Sequence, residues 1–516
     1  MADPDNGNAS TEDTEADELL HGPPGNHLNR LCNSQPDSNP EPTFLLTQHE
    51  RSDQLDVETG TSCAELSGVK AYTNLIVLTI ALTLNFTAFN SFQALQSSLN
   101  IAEGLGTTGL SVLYATMVLT SLFFAQLTLV RFSNKWIMVI SSLSYTAFMA
   151  TGFYPAWSTV IPASLLIGFG AAHLWPSQQN YLTDLATSYA AFKHKNVKQM
   201  VHLFTGIYFG IFYTSFIWGN IFASQVFRRE TENITSALPF CGSEFCSFEP
   251  QAVDDIQLPN AAKINIYTCF CVGTSLLGAL CLCFLSNLST VTGCSKNVRT
   301  NILTVCVLMV KSRDQNLLII PSLTAGITLS LMMGDFTAAF VSCPYGVQNV
   351  GLVVITFGVN MTLWTFTIGK VSKFTGLYMF ICLSFLISLA VMVSLLLWQP
   401  SREGLPIVFV LAGLYGLASA GNEPLLIMLH STLFKDSTTA ALSSYRAMSS
   451  LGWAVSFGYS NWLCMRHKLY IVITMLSLSY LCLSVLFLRH RTMANVCRKL
   501  TCTSLKRTDE RDDIDT

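Results

Sequence analysis

Residues 316–341 read NLLIIPSLTAGITLSLMMGDFTAAFV. A helix that crosses lipid needs about 20 consecutive, mostly apolar residues, and this run supplies them. One acid interrupts it: Asp335 is the only charged side chain between Gln315 and Gly369. If the run is a membrane span, the carboxylate must bind something, pair with something, or lie shallower than it looks.

Composition favours lipid as the solvent. Of the 516 residues, 50% are hydrophobic and 12% are charged, against about 25% charged in soluble domains. Apolar runs of spanning length recur at 72–92, 109–130, 135–154, 158–179, 201–222, 264–286, 316–341, 348–368, 376–398, 405–427, 443–463 and 468–488. The expected fold is therefore an all-α membrane protein with twelve transmembrane helices. Residues 1–70 hold 14 Asp/Glu and 3 Lys/Arg. That acidic, polar segment has too little apolar surface to offset its ordering entropy, so it is expected to be a disordered tail. No basic segment followed by an apolar core marks a cleavable signal, and the first span is expected to act as the internal anchor.

Lys and Arg set the orientation. With both termini cytoplasmic, the inner loops carry twelve basic residues, among them Arg131, Lys135, Lys370 and Lys373. The outer loops carry six: Arg228, Arg229, Lys263, Arg402, Arg466 and Lys468. The longest outer loop, 223–262, contains Asn233-Ile-Thr, a glycosylation acceptor, and the pair Cys241 and Cys246. Of the five N-x-S/T sequons, at Asn8, Asn85, Asn233, Asn287 and Asn360, only Asn233 falls in a soluble outer loop. In an oxidising lumen the two cysteines are candidates for a small Cys241–Cys246 ring. Alternatively, one of them pairs with Cys343 on the next outer loop, or both stay free.

The spans divide into two sixes, 71–286 and 316–488, around a central inner loop at 287–315, with a second tail at 489–516. A 6+6 plan is that of major-facilitator transporters. The loops after spans two and eight then correspond, and both are short and basic: VRFSNKW (130–136) and GKVSKFTG (369–376).

Ionisable groups inside spans are functional candidates, because a charge at the bilayer centre costs roughly 2.5–3.5 kcal/mol on insertion scales. At about 1.5 Å per residue, Asp335 lies about 27 Å along span seven, near its outer end and beside Gly334. That is too shallow for a midplane substrate site; lining an outward cavity, as a cation or proton site, is one reading that stays open. Glu423 in span ten and Arg446 in span eleven share the inner leaflet. Three readings stand for them: a structural pair, which lowers the cost of both, an ion or proton site, and plain interfacial exposure. His173, beside Trp175 and Pro176, is read first as a buried neutral histidine and second as a proton relay. No nucleotide-binding loop, nucleophile motif, paired-cysteine metal site or nucleic-acid surface is present in the sequence. The chain is therefore expected to be non-enzymatic, with no cofactor, no metal and no nucleic-acid partner.

Several stretches, in order, resemble the uncoordinated-93-like family, a divergent major-facilitator branch, and most closely its A-type animal members. They are FQALQSSLNIAEGLGTTGLSVLY (92–114), LLIGFGAAHLWPSQQNYLT (165–183), CGSEFC (241–246), VSCPYGVQNVG (341–351) followed by GKVSKFTG, and LSSYRAMSSLGWAVSF (442–457). The resemblance implies a membrane regulator of potassium homeostasis that associates with a two-pore-domain potassium channel. Another branch of the family implies an escort role in membrane-protein trafficking. A secondary transporter with Asp335, Glu423 and Arg446 in its pathway is the alternative. Two tail motifs, Glu15 before Leu19-Leu20 and Glu41 before Leu45-Leu46, resemble acidic dileucine signals read by clathrin adaptors. Cys497 and Cys502, among basic residues past span twelve, are palmitoylation candidates. The expected location is the plasma membrane, with endosomes or lysosomes as the alternative.

Overall fold

The computed structural model describes residues 68–100, 104–124, 128–129, 131–228, 240–247, 259–288, 311–375, 377–434 and 438–512. Those residues are almost wholly helical. The first half contains α1 (Gly68–Leu99), α2 (Leu105–Phe123), α3 (Asn134–Ala150), α4 (Trp157–Lys193), α5 in two segments (Val197–Phe212 and Ser215–Val226) and α6 (Ala261–Cys283). The second half opens with α7. It begins as Arg313–Ser330, continues as a π-helix over Leu331–Ser342 and closes with the turn Cys343–Tyr345. After it come α8 (Gln348–Thr375), α9 (Leu377–Leu397), α10 (Leu405–Leu433), α11 (Thr438–Ser460) and α12 (Met465–Asp512). Through Leu483 the helices form one compact unit.

Each of the twelve apolar runs falls on one of these helices. Eleven are long and apolar enough to cross a membrane by length and composition. The twelfth, α11, carries Arg446 and many hydroxyl side chains. It spans the bundle because protein, rather than lipid, surrounds it. Gly452 brings α11 onto α7 so closely that an added methyl group would strike the Leu323 carbonyl. Such close contacts of small residues hold membrane helices together where no hydrophobic force between them exists. The outward faces carry Ile76, Ile140, Leu280, Leu386, Val410 and Leu481, all large, apolar and exposed. A soluble protein does not tolerate so much exposed apolar surface, and lipid accounts for it.

Local chemistry sets the helix ends. The Ser312 side chain accepts from Gln315 N at 3.3 Å, capping α7, and Asp314 complements the positive end of its dipole. Asn260 caps α6 in the same way, at 3.2 Å from Ala262 N. The sequence reading stops span four at residue 179, whereas α4 runs on to Lys193. Its extension, YLTDLATSYAAFK, is too polar for hydrocarbon but contains good helix formers, so the helix continues beyond the apolar stretch.

The two halves meet along three helix pairs: α1 with α7, α2 with α11, and α5 with α8. Their hydrogen bonds gather at one side. Ser97 Oγ donates to the Gly334 carbonyl at 2.9 Å, Ser98 and Ser342 share a bond of 2.7 Å, and Ser111 Oγ donates to Ala454 O at 2.9 Å. Asn461 clasps the turn before α2. It donates to Gly104 O and Thr108 Oγ1 and accepts from Thr107 Oγ1 at 2.5 Å. Gly104 permits this clasp: its φ is +66°, and a side chain there would collide with Asn461. The π-helix contributes as well. Within it, Gly334 O takes both Ser97 Oγ and Thr337 Oγ1.

Candidate functional site

The same side carries two disulfides. Cys241 bonds Cys343 and Cys246 bonds Cys464. Of the alternatives left open by the sequence, the Cys241–Cys246 ring does not form and the pairing with Cys343 does. A 3-10 turn at Gly242–Glu244 separates the two cysteines, and each is held against a different loop of the second half. Further contacts fix the segment: Met465 N donates to Phe245 O at 2.8 Å, Ser247 Oγ donates to Ser460 O at 2.8 Å, and Arg466 pairs with Glu244. A loop that belongs to the first half in sequence thus caps the second half. Asn233 lies outside the described residues, as do Glu15, Leu19, Leu20, Glu41, Leu45 and Leu46.

Asp335 does not face an outward cavity. It is 5% exposed, on the π-helix, and its Oδ1 accepts from Lys468 Nζ at 2.7 Å and from Ser460 Oγ at 2.5 Å. Lys468 is 1% exposed and donates a second bond to Ser460 O at 2.9 Å. The sequence reading had assigned Lys468 to an outer loop as a topology charge. Here it neutralises a carboxylate 133 residues away. Nothing local signals such a pairing. The only available hint is a lysine at the mouth of an apolar run on the same side as a stranded acid. The site is a closed ion pair joining α7, α11 and α12.

Glu423 and Arg446 do come together. Arg446 Nη1 donates to Glu423 Oε1 at 2.9 Å, and the two side chains are 25% and 24% exposed. At 1.5 Å per residue, Arg446 is about 21 Å from the Ser460 end of α11 and Glu423 about 27 Å from the Leu405 end of α10. Both charges therefore sit in the inner leaflet. The guanidinium lies against Trp175 of the first half, so the partly exposed pair sits where the two halves face each other.

Aromatic groups from both halves wall the pair. The Arg446 guanidinium lies 4.9 Å from the Trp175 ring centroid and 5.5 Å from that of Tyr445. Behind Trp175 stand Phe86 and Phe212, at 5.0 and 5.7 Å between centroids. Tyr145, Tyr208, Tyr213 and Tyr445 are all buried and within electrostatic reach of the charges. Tyr208 and Tyr213 hydroxyls have no hydrogen-bond partner among the described residues. Sequence reasoning selected the two charges and missed the tyrosines, which read there as ordinary apolar bulk. His173 sits apart from this group in function. It is buried, and its Nδ1 bonds the Phe169 carbonyl at 2.7 Å. His430 repeats that arrangement with Leu426 O at 2.8 Å and was not singled out by sequence. Among the described residues, no group of three or more His, Cys, Asp or Glu side chains is placed to hold a metal.

A family model described as ion channel regulatory protein UNC-93 matches residues 97–485. Protein unc-93 homolog A of Homo sapiens is 34% identical over 415 residues, which cover 79% of this chain and 91% of the relative. The Caenorhabditis elegans protein named "Putative potassium channel regulatory protein unc-93" is 25% identical over 455 residues, covering 83% of this chain and 63% of that one. Among solved structures, the xylose transporter XylE of E. coli in a partially occluded inward-open conformation aligns with a TM-score of 0.56 at 11% identity. That alignment covers 80% of this chain and 97% of XylE. The nucleoside transporter NupG aligns at 0.53 and 13% identity, over 80% of this chain and 99% of its own. At such identities the likeness is one of fold: the helices are arranged as in the major facilitators.

Proposed function

The chain belongs to the ion channel regulatory protein UNC-93 family, and from that membership we propose that it regulates a potassium channel by associating with it in the membrane. The match over 97–485, from the end of α1 into α12, carries this reading. The nematode relative's printed name supplies potassium as the ion. A two-pore-domain channel is the partner class, and the role is non-enzymatic. Co-expression with two-pore-domain channels tests it. Potassium current should change only when both proteins are present, and the two should co-purify. Unchanged currents across that channel class, without co-purification, would overturn the reading.

The disulfide side faces the lumen or the cell exterior, and both tails are cytoplasmic. Two disulfides, which persist in oxidising compartments, support that orientation, as does the excess of basic residues in the opposite loops. Asn233 is the single glycan acceptor, so Asn233→Gln alone should abolish a glycosidase-sensitive mobility shift. The protein resides at the plasma membrane and cycles through endosomes by clathrin adaptors reading Leu19-Leu20 and Leu45-Leu46. Alanine at both pairs should raise its surface level.

One observation favours a second reading, secondary transport: the partly exposed Glu423–Arg446 pair sits where the two halves face each other, against Trp175 of the first half. Flux into liposomes containing only this protein would establish it. Asp335 has no place in that pathway, since Lys468 closes it off. In a third reading the protein is a trafficking escort, which would displace a client membrane protein when removed.

A further inference from the structure

We infer that the partly exposed Glu423–Arg446 pair is a binding site for a small zwitterion, an α-amino acid with an uncharged side chain. The argument begins with what the ion pair leaves unused. A guanidinium carries five N–H donors in one plane, and Arg446 donates one of them, to Glu423. Glu423 accepts that bond on Oε1, and no other hydrogen bond to it is formed by the described residues. Both side chains are about a quarter exposed, so the spare donors and the spare oxygen are reachable.

Two further polar groups await a partner. The hydroxyls of Tyr208 and Tyr213 are buried and unbonded, on side chains 0% and 2% exposed. A buried hydroxyl without a partner is unfavourable, and both lie within electrostatic reach of Glu423 and Arg446. The site therefore presents spare cationic donors, a spare anionic acceptor, two free hydroxyls and an aromatic wall of Trp175, Phe86 and Phe212. Its formal charge is zero. A simple anion would gain Arg446 and meet Glu423; a simple cation would meet the reverse. A molecule with a carboxylate for Arg446, an ammonium for Glu423 and an apolar body for the wall satisfies every group. The tyrosines and Trp175 belong to the first half and the charges to the second, so such a ligand would bridge the halves. It would thereby favour whichever conformation brings them together.

The test uses the full-length protein, purified and held in lipid nanodiscs. Thermal unfolding is followed with each neutral L-amino acid, and then with the methyl ester and the N-acetyl derivative of those that act. At least one free amino acid should raise Tm in a saturable way, and neither blocked form should. Tyr208→Phe combined with Tyr213→Phe should hold or raise the Tm of the ligand-free protein, because those hydroxyls are buried and bond nothing, while weakening binding about tenfold. Glu423→Gln should remove the discrimination against the N-acetyl form. No response to any neutral amino acid, or an equal response to either blocked form, would overturn the proposal. Binding is read without a channel present, so its failure and the failure of channel regulation are separate results.

Discussion

Two intramembrane ion pairs are found among the described residues, and they are built differently. Asp335–Lys468 is sealed, with side chains 6% and 1% exposed, and Ser460 bonds both partners. Glu423–Arg446 is open, with side chains 25% and 24% exposed and donors to spare. The first ties three helices of one half together near the bonded side. The second lies against Trp175 of the other half. Near-complete burial makes a structural rivet; partial exposure with unused donors leaves groups that a ligand can reach.

The largest effect should come from breaking the sealed pair one partner at a time. Asp335→Asn or Lys468→Met leaves a buried charge uncompensated and should destabilise the protein by about 3–5 kcal/mol. The double variant Asp335→Leu/Lys468→Met should recover most of that loss, since an apolar pair avoids desolvation altogether. Thermal unfolding in nanodiscs measures both. A double variant no better than the singles would mean that the pair acts in something other than structure.

Next in size is the cap. Removing either disulfide, by Cys343→Ser or Cys464→Ser, should lower stability by about 2–4 kcal/mol. Peptide mapping under non-reducing conditions should return Cys241 with Cys343 and Cys246 with Cys464. A Cys241–Cys246 peptide would contradict the cap. Asn461→Ala removes the clasp on the turn before α2 and should cost roughly 1–2 kcal/mol. It should also let a thiol reagent reach a cysteine introduced at Ser111 from the disulfide side; unchanged labelling would show that the bonds there are not what closes it. The smallest loss belongs to the open pair. Glu423→Gln should change stability by on the order of 1 kcal/mol or less, as for other solvent-reached pairs. A loss as large as that of Asp335→Asn would erase the distinction between the two pairs.

How far the sequence reached differs between them for a physical reason. Glu423 and Arg446 lie 23 residues apart on consecutive helices. Consecutive helices of a bundle are commonly neighbours, and counting residues from the span ends placed both charges in one leaflet. Asp335 and Lys468 are 133 apart, and no period or motif links them. Lys468 therefore looked like a loop charge and Asp335 like a stranded one. The cysteines divide in the same way: Cys343, on the next outer loop, is within reach of a sequence reading, and Cys464 is not. Cys241 and Cys246 are near in sequence, yet their partners come from loops 102 and 218 residues away.

The sequence alone determined the solvent, the helix number and the division into two sixes, because lipid imposes a minimum apolar length on every span and leaves charge to collect in loops. Those are one-dimensional constraints, and a chain displays them without folding. The tertiary structure decided which charge neutralises which, which loop covers which half, and where the halves part. Those depend on packing among helices distant in sequence. Asp335 shows the limit: the chain marks it as an acid that lipid will not tolerate, and only the fold supplies Lys468 and Ser460 to hold it.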